Sequence, residues 1–181
     1  RETNHKHTYE FIAELNDPLT AMKNFIEQRD IELVVMGTKG ASGLDAVLFG
    51  STASSVIRNT IVPVISVPPY YTYCGFKQLV FSTDGRADFK NKALDPLVKL
   101  QNKFNSNITV LTIEKDGKPV DLSSLHLPLE IDKYANLQDD NVSLAVTEYC
   151  ANEKADLMVI LPKHHGFFER MFHKSVSKEL V

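Results

Sequence analysis

The sequence Val35-Met36-Gly37-Thr38-Lys39-Gly40 closes an apolar run with a glycine, and nine further residues separate it from Gly50-Ser51-Thr52. The spacing is Gly-x2-Gly-x9-Gly-Ser. Glycines let a ligand approach the backbone closely, and Ser51 is predicted to cap the following helix, whose first N–H groups attract anions. The stretch therefore predicts a strand, a phosphate-binding loop and a helix start. The alternative is an ordinary strand-to-helix turn that holds no ligand.

Strand and helix patterns alternate on both sides of this loop. Asp17 and Pro18 form a typical helix start, with the aspartate as N-cap. The predicted order is a strand over His7–Leu15, a helix from Pro18 to Gln28, a strand over Ile31–Met36, a helix from Ser51 to Arg58 and a strand over Pro63–Val67. This β-α-β-α-β order predicts parallel strands joined by right-handed crossovers.

The second half of the chain repeats the alternation after the proline-rich residues 68–69. Its predicted elements are a strand over Gln78–Ser82, a helix from Ala87 to Lys103, a strand over Asn107–Ile113, a weaker strand over Leu127–Tyr134, a helix capped by Asp139 or Asp140, a strand over Leu157–Leu161 and a helix within Phe167–Val181. The segment Glu114–Ser124 is polar and predicted to be irregular.

An internal repeat relates the two halves. Gln28–Lys39 can be placed over Asn152–Lys163 at an offset of 124 residues (152 − 28), and with one residue deleted Phe49–Thr52 lies over Phe172–Ser175. A fixed offset of this kind indicates repeated structural units. We therefore expect two partial copies: residues 1–69, a linker over 70–76, and residues 77–181. Projection by the offset also predicts a fragment of a longer tandem protein, with the first two strands missing from copy one and the last strand from copy two.

The glycine pattern and the strand after it resemble the universal stress protein family. Leu79–Gly85 is similar to that family's first strand, so the resemblance covers nearly the whole chain as two incomplete copies. It implies a stress-response protein with a doubly wound, five-stranded parallel α/β sheet of order 3-2-1-4-5, which is universal stress protein-like and adenine nucleotide alpha hydrolase-like. At the positions matching Gly40, Gly50 and Ser51 the second copy has His164, His173 and Lys174, which predicts a degenerate regulatory or dimerisation copy.

The resemblance also implies a cofactor and the residues that hold it. Members of the family with the glycine loop bind ATP, which places Gly37 and Gly40 beside the ribose and phosphates, and Gly50, Ser51 and Thr52 at the phosphates. Asp84 matches the family's aspartate near adenosine, although it lies in the copy with the degenerate loop. It is a second-copy candidate site; the alternative is a cap for the helix predicted from Ala87. A permuted sheet, in which strands of the two copies combine and bring Asp84 near Gly40, is a further arrangement.

Composition narrows the class of protein. The net charge is −3, with 20 Lys and Arg residues against 23 Asp and Glu residues, whereas a nucleic-acid surface usually needs a basic excess. No apolar run approaches the length of a membrane span, so neither nucleic acid nor membrane is expected as a partner. Cys74 and Cys150 suggest thiols in a reducing cytoplasm. Unpaired sheet edges predict a homo-oligomer, such as a dimer.

The sequence lacks the pattern of a catalytic or metal centre. His164, His165 and His173 have no carboxylate or cysteine at a helpful spacing, so solvated histidines are expected in preference to a metal site. We expect a nucleotide-linked stress protein that is not an enzyme. The alternatives are a slow ATP hydrolase and a nucleotide-free dimerisation module.

Overall fold

The structure is a computed structural model that describes residues 7–38, 50–85, 92–114 and 125–161. These residues form two parallel sheets, one of two strands and one of four. The elements are α1 (Pro18–Gln28), β1 (Val34–Gly37), α2 (Ser51–Asn59), β2 (Val64–Val67), β3 (Gln78–Thr83), α3 (Asp95–Phe104), β4 (Asn107–Glu114), β5 (Lys133–Gln138), α4 (Val142–Asn152) and β6 (Leu157–Ile160). The predicted α/β class is confirmed.

The four-stranded sheet has the order β5-β4-β3-β6, and all its pairs are parallel. In the order of the chain this is 3-2-1-4, which matches the first four positions of the predicted doubly wound sheet. Both neighbours of β3 come from this half of the chain, so the permuted sheet that combined strands of the two copies is not formed.

Helices cover both faces of this sheet. On one face, Val80, Leu111 and Ile113 pack with α4 through a buried cluster that includes Val142 and Val146. Alternate strand residues point to opposite faces, and a second buried cluster lies across the sheet. This α3-side cluster contains Leu79, Phe81, Leu94, Leu97, Ile108 and Val110. The sheet is thus apolar on both faces, as parallel sheets require.

The two-stranded sheet is covered on one face. Val34 packs with Ile26 of α1 and Val56 of α2 in a small buried cluster. Val35 points the other way and is 61% exposed, and Leu33 is 45% exposed. At the 124-residue offset of the sequence alignment their counterparts are Leu157 and Val159, which pack against the α3-side cluster. In the described part of the first half, no counterpart of α3 covers this face.

The helices α1 and α4 repeat each other closely. Each has 11 residues, and they begin 124 residues apart. Their N-caps, Asp17 and Asn141, accept hydrogen bonds from the backbone N–H groups of Thr20 and Leu144, at 3.0 and 3.2 Å. The cap at Asp17 was predicted, whereas the predictions of Asp139 or Asp140 for α4 were wrong.

The strand predicted over His7–Leu15 is not formed, although its residues alternate. They have no strand assignment, and Phe11 is 95% exposed. At the offset of 124, residues 9–14 correspond to β5, which exists because it pairs with β4 over Thr109–Glu114. No described strand pairs with residues 7–15. Alternation alone cannot supply the hydrogen bonds that a strand needs.

Two other predicted boundaries were also wrong. The strand predicted over Leu127–Tyr134 lies at Lys133–Gln138. The side chain of Gln101 donates to the carbonyl of Glu130 and accepts from its N–H, so both backbone groups of Glu130 bond to α3 and not to a neighbouring strand. The helix predicted from Ala87 begins at Asp95, with Pro96 in its first turn, a position that proline favours. Residues 86–91, 115–124 and 162–181 lie outside the described residues, as do the predictions that fall on them.

Candidate functional site

The candidate site lies at the carboxyl edge of the two-stranded sheet. Gly37 and Val67 end β1 and β2 opposite each other in the parallel register. The backbone N–H of Thr38 donates to the carbonyl of Val67 at 3.0 Å, which extends the pairing by one residue. Thr38 is buried and therefore fixed where the predicted loop leaves the sheet.

A backbone hydrogen bond joins the two ends of that loop. The N–H of Gly50 donates to the carbonyl of Thr38 at 2.7 Å. Gly37 and Gly50 are thus both at the carboxyl edge, while Gly40, the third predicted glycine, lies outside the described residues. Because the Gly50 N–H is already used, the N–H groups available to an anion begin at Ser51.

The N-terminus of α2 has no side-chain cap. Ser51 was predicted to cap this helix, but Gly50 holds the N-cap position, with φ −64° and ψ 164°, and Ser51 is the first helical residue. The first N–H groups of a helix have no partner within the helix, and glycine offers no side chain to accept from them. The exposed Ser51 and Thr52 add hydroxyls at this point. The arrangement can bind an anion through backbone N–H groups and hydroxyls.

A cleft of about 240 Å³ opens beside this helix start. Its walls are Asp17, Pro18 and Leu19 from the start of α1, and Ser51, Thr52 and Ser55 from α2. The Asp17 Oδ2 atom accepts from the N–H and hydroxyl of Thr20, at 3.0 and 3.1 Å. Its negative charge disfavours an anion on the α1 wall, so the α2 wall is the one suited to phosphate. No pattern in the sequence indicates that Asp17 and Ser55 line the cleft, since that depends on how the helices pack.

Asp84 lies at the end of a strand of the four-stranded sheet, whereas Gly37 and Gly50 lie at the carboxyl edge of the two-stranded sheet. It directly follows β3 and is half-buried, next to Gly85, whose N–H donates to the Thr83 hydroxyl at 3.2 Å. The N-cap of α3 is Leu94, so Asp84 does not cap that helix. One residue from Thr83, the Ser82 hydroxyl is buried and has no hydrogen-bond partner among the described residues, a feature that the sequence did not indicate.

The described residues hold no group of three His, Cys, Asp or Glu side chains placed to bind a metal ion. His164, His165 and His173 lie outside them. Neither cysteine is in a disulfide: Cys74 is exposed, and burial raises the pKa of Cys150 to about 11. In the part of the chain that the structure describes, no helix is both long and apolar enough to cross a bilayer.

Comparison with known proteins finds relatives of the first 68 residues of the chain. The model of the universal stress protein family matches residues 1–68. A universal stress protein of Methanocaldococcus jannaschii is 42% identical over 50 residues, which are 28% of this chain and 29% of the relative. The alignment thus spans under a third of that relative's length. The matched region contains β1, the loop, α2 and β2, the elements that build the candidate site. Residues 1–68 of the chain are thus similar to the universal stress protein family.

Proposed function

We propose that this stress protein binds ATP at the start of α2, with the phosphates held by backbone N–H groups and by the Ser51 and Thr52 hydroxyls. The observation that carries the proposal is the uncapped helix N-terminus at the carboxyl edge of a parallel sheet. Ligands of open α/β sheets bind outside the carboxyl ends of the strands. The Gly50–Thr38 bond supports the proposal, because it fixes the helix start against the strand end before a ligand arrives.

Binding without turnover is the proposed activity. Among the six residues that line the cleft, Asp17 is the only one with an ordinarily titratable side chain. Its Oδ2 atom is engaged in capping α1, so it is poorly placed to activate a water molecule. We therefore propose a nucleotide-responsive stress protein, located in the cytoplasm, where free thiols such as Cys74 stay reduced.

The second half is proposed to be a tandem copy without a working phosphate loop. Support comes from the equal lengths of α1 and α4, their spacing of 124 residues and their matching N-caps. The four-stranded sheet then serves as a regulatory or structural unit. In that unit the helix that would match α2 falls beyond the described residues.

Titration of the 181-residue chain with ATP and with inorganic tripolyphosphate tests the proposal. Calorimetry should show binding of both, with ATP tighter, and extraction of the purified protein should release adenine nucleotide. Phosphate release should not exceed that of a Gly50→Val variant. Absence of binding to both ligands would refute the proposed site. Phosphate release above the level of the Gly50→Val variant would show that the protein hydrolyses ATP and does not only bind it.

A second candidate function is self-association, favoured by the uncovered face of the two-stranded sheet. Leu33 and Val35 are exposed there although their counterparts in the other sheet are packed. Exposed apolar strands are common sites of pairing between chains. If this face is a subunit interface, Val35→Lys should convert a dimer seen by light scattering into a monomer, whereas Ile61→Lys, at another exposed position, should not. A wild-type monomer at high concentration would exclude this candidate.

A further inference from the structure

The segment predicted as a linker is bonded to the second sheet along most of its length. The carboxylate of Asp156, directly before β6, is the centre of these contacts. Its Oδ2 atom accepts from the backbone N–H groups of Lys77 and Gln78, at 2.7 and 2.8 Å. Its Oδ1 atom accepts from the thiol of Cys74 at 3.3 Å. One side chain therefore holds both the start of β3 and the residues before it.

The backbone of Asp156 adds two further contacts. Its carbonyl accepts from the hydroxyl of Tyr71 at 3.4 Å, and its N–H donates to the carbonyl of Gln78 at 2.8 Å. The contacts of Asp156 thus reach from Tyr71 to Gln78. They tie the segment to the position where β6 enters the sheet.

Aromatic packing also holds the same segment. The Phe76 ring meets the rings of Tyr73 and Phe104 edge to face, with centroids 5.3 and 5.2 Å apart. The Ser106 hydroxyl donates to the Phe76 carbonyl at 2.5 Å. Phe76 also packs against the α3-side cluster. The contacts of Phe76 with Phe104, Ser106 and the buried cluster attach the segment to the second half of the chain.

The three residues before Tyr71 are held differently from residues 71–76. Pro68, Pro69 and Tyr70 are exposed, and the prolines have no N–H to donate. Tyr70 has a φ of +61°, in the left-handed region that few non-glycine residues adopt. One backbone hydrogen bond is described for this stretch, from the N–H of Tyr71 to the carbonyl of Pro68 at 3.4 Å. It joins the stretch to the residue that directly follows it.

We propose that Asp156 is a latch that makes residues 71–76 part of the second sheet's rigid body, so that the two sheets can pivot only about Pro68–Tyr70. The joint is then the three residues Pro68–Tyr70, of which Tyr70 alone belongs to the seven-residue linker predicted over 70–76. Two prolines restrict that joint further, because their φ angles are fixed. Opening the latch would add residues 71–74 to the flexible connection, while Phe76 would keep its own contacts with Phe104 and Ser106.

The chain offers a matched control for the latch. Asp132, directly before β5, accepts from the N–H of Ile108 with its Oδ2 atom at 2.7 Å, and its own N–H donates to the carbonyl of Ile108 at 3.0 Å. This is the same arrangement at another strand pair, without a linker attached. Asp132→Ala therefore removes a comparable bond from the sheet and should leave residues 71–76 in place.

Backbone 15N relaxation and amide exchange test the proposal on the 181-residue chain. In the wild type, order parameters should be near 0.85 for residues 74–76 and clearly lower for Tyr70, rigid and flexible backbone differing by about 0.25. Asp156→Ala should lower the values for residues 71–74 towards 0.6 and speed exchange at Lys77 and Gln78 by about tenfold or more, as expected for lost bonds to a charged acceptor. Asp132→Ala should speed exchange at Ile108 instead.

Two further variants keep the test decisive. Asp156→Asn can still accept both N–H groups through its carbonyl and should retain ordered residues 71–76. If Asp156→Ala does not fold, the double variant Tyr71→Phe, Cys74→Ala removes the linker contacts and leaves the bonds to Lys77 and Gln78 intact. It should lower the order parameters of residues 71–74. The proposal is overturned if residues 71–76 are as mobile as Tyr70 in the wild type, or if neither variant changes their order.

Discussion

Gly50 is the position at which the stability of α2 and the affinity of its N-terminus for anions should change in opposite directions. Its φ of −64° and ψ of 164° are open to any residue, and no side chain now caps the helix. In Gly50→Asp the new carboxylate can accept from the free N–H groups. An aspartate cap exceeds glycine by a few tenths of a kcal/mol, and a negative charge at a helix start adds about 0.3–1 kcal/mol. We expect the first half of the chain to gain about 0.5–1 kcal/mol of unfolding free energy.

The same carboxylate should weaken ATP binding, because it occupies the N–H groups and repels the phosphates. Two unit charges about 4 Å apart repel by about 1 kcal/mol in water and about 4 kcal/mol at an effective dielectric constant of 20. The affinity should therefore fall by about fivefold at least. Gly50→Asn is the matched control: it supplies the cap without the charge, and should lose less affinity.

Calorimetric titration with ATP and thermal unfolding of the three proteins measure both effects. The informative comparison is between the aspartate and asparagine variants, which have nearly the same shape and differ in charge. If both are more stable than the wild type and bind ATP with wild-type affinity, phosphate does not bind at the start of α2. The site must then be sought elsewhere along the carboxyl edge.

Three other outcomes follow from single contacts. Asp17→Ala and Asn141→Ala should each lower the free energy of unfolding by about 1 kcal/mol, because each removes a helix cap. In a denaturant titration the first variant should shift the unfolding of α1 and the second that of α4. If either variant shifts the unfolding of both helices, the two halves unfold as one cooperative unit. Iodoacetamide should modify Cys74 well before Cys150, whose raised pKa of about 11 keeps it a thiol; equal labelling of the two would contradict the burial of Cys150. Because the folded pKa of Cys150 is the higher one, the contribution of this thiol to stability should fall as pH rises from about 9 through 11. The hydrogen bond from the Gln78 N–H, ahead of those from the Lys77 N–H and the Cys74 thiol, holds the pKa of Asp156 below its usual 3.8. Because the folded pKa is the lower one, the contribution of Asp156 to stability should be complete above that pH and lost as pH falls through the lower folded value. Asp156→Asn should flatten this acid limb.

The helices could be predicted from sequence more accurately than the strands, because their signals are local. Asp17 and Pro18 mark the start of α1 within two residues, and the structure begins the helix there. A strand also depends on a partner that is distant in sequence. His7–Leu15 has the alternation of a strand but no described neighbour to pair with, whereas β5 is fixed by its register with β4.

The candidate site was predictable in part for the same reason. The glycine spacing identifies the loop and the start of α2, since both are continuous in sequence. The assignment of the cap to Ser51 was wrong by one residue, because the bond from Gly50 to Thr38 sets where the helix begins. The α1 wall, with Asp17, comes from packing between helices and has no signature in the pattern.

The hydrogen bond between Gly50 and Thr38 has a consequence for how such a site can be altered. This bond of 2.7 Å joins the end of β1 directly to the start of α2. The sheet and the helix are therefore connected independently of the residues between them. Lengthening a closed loop costs little, about 0.6 kcal/mol for each doubling. The framework should therefore accept loops of other lengths and compositions, and ligand preference could be exchanged by grafting while the fold is kept.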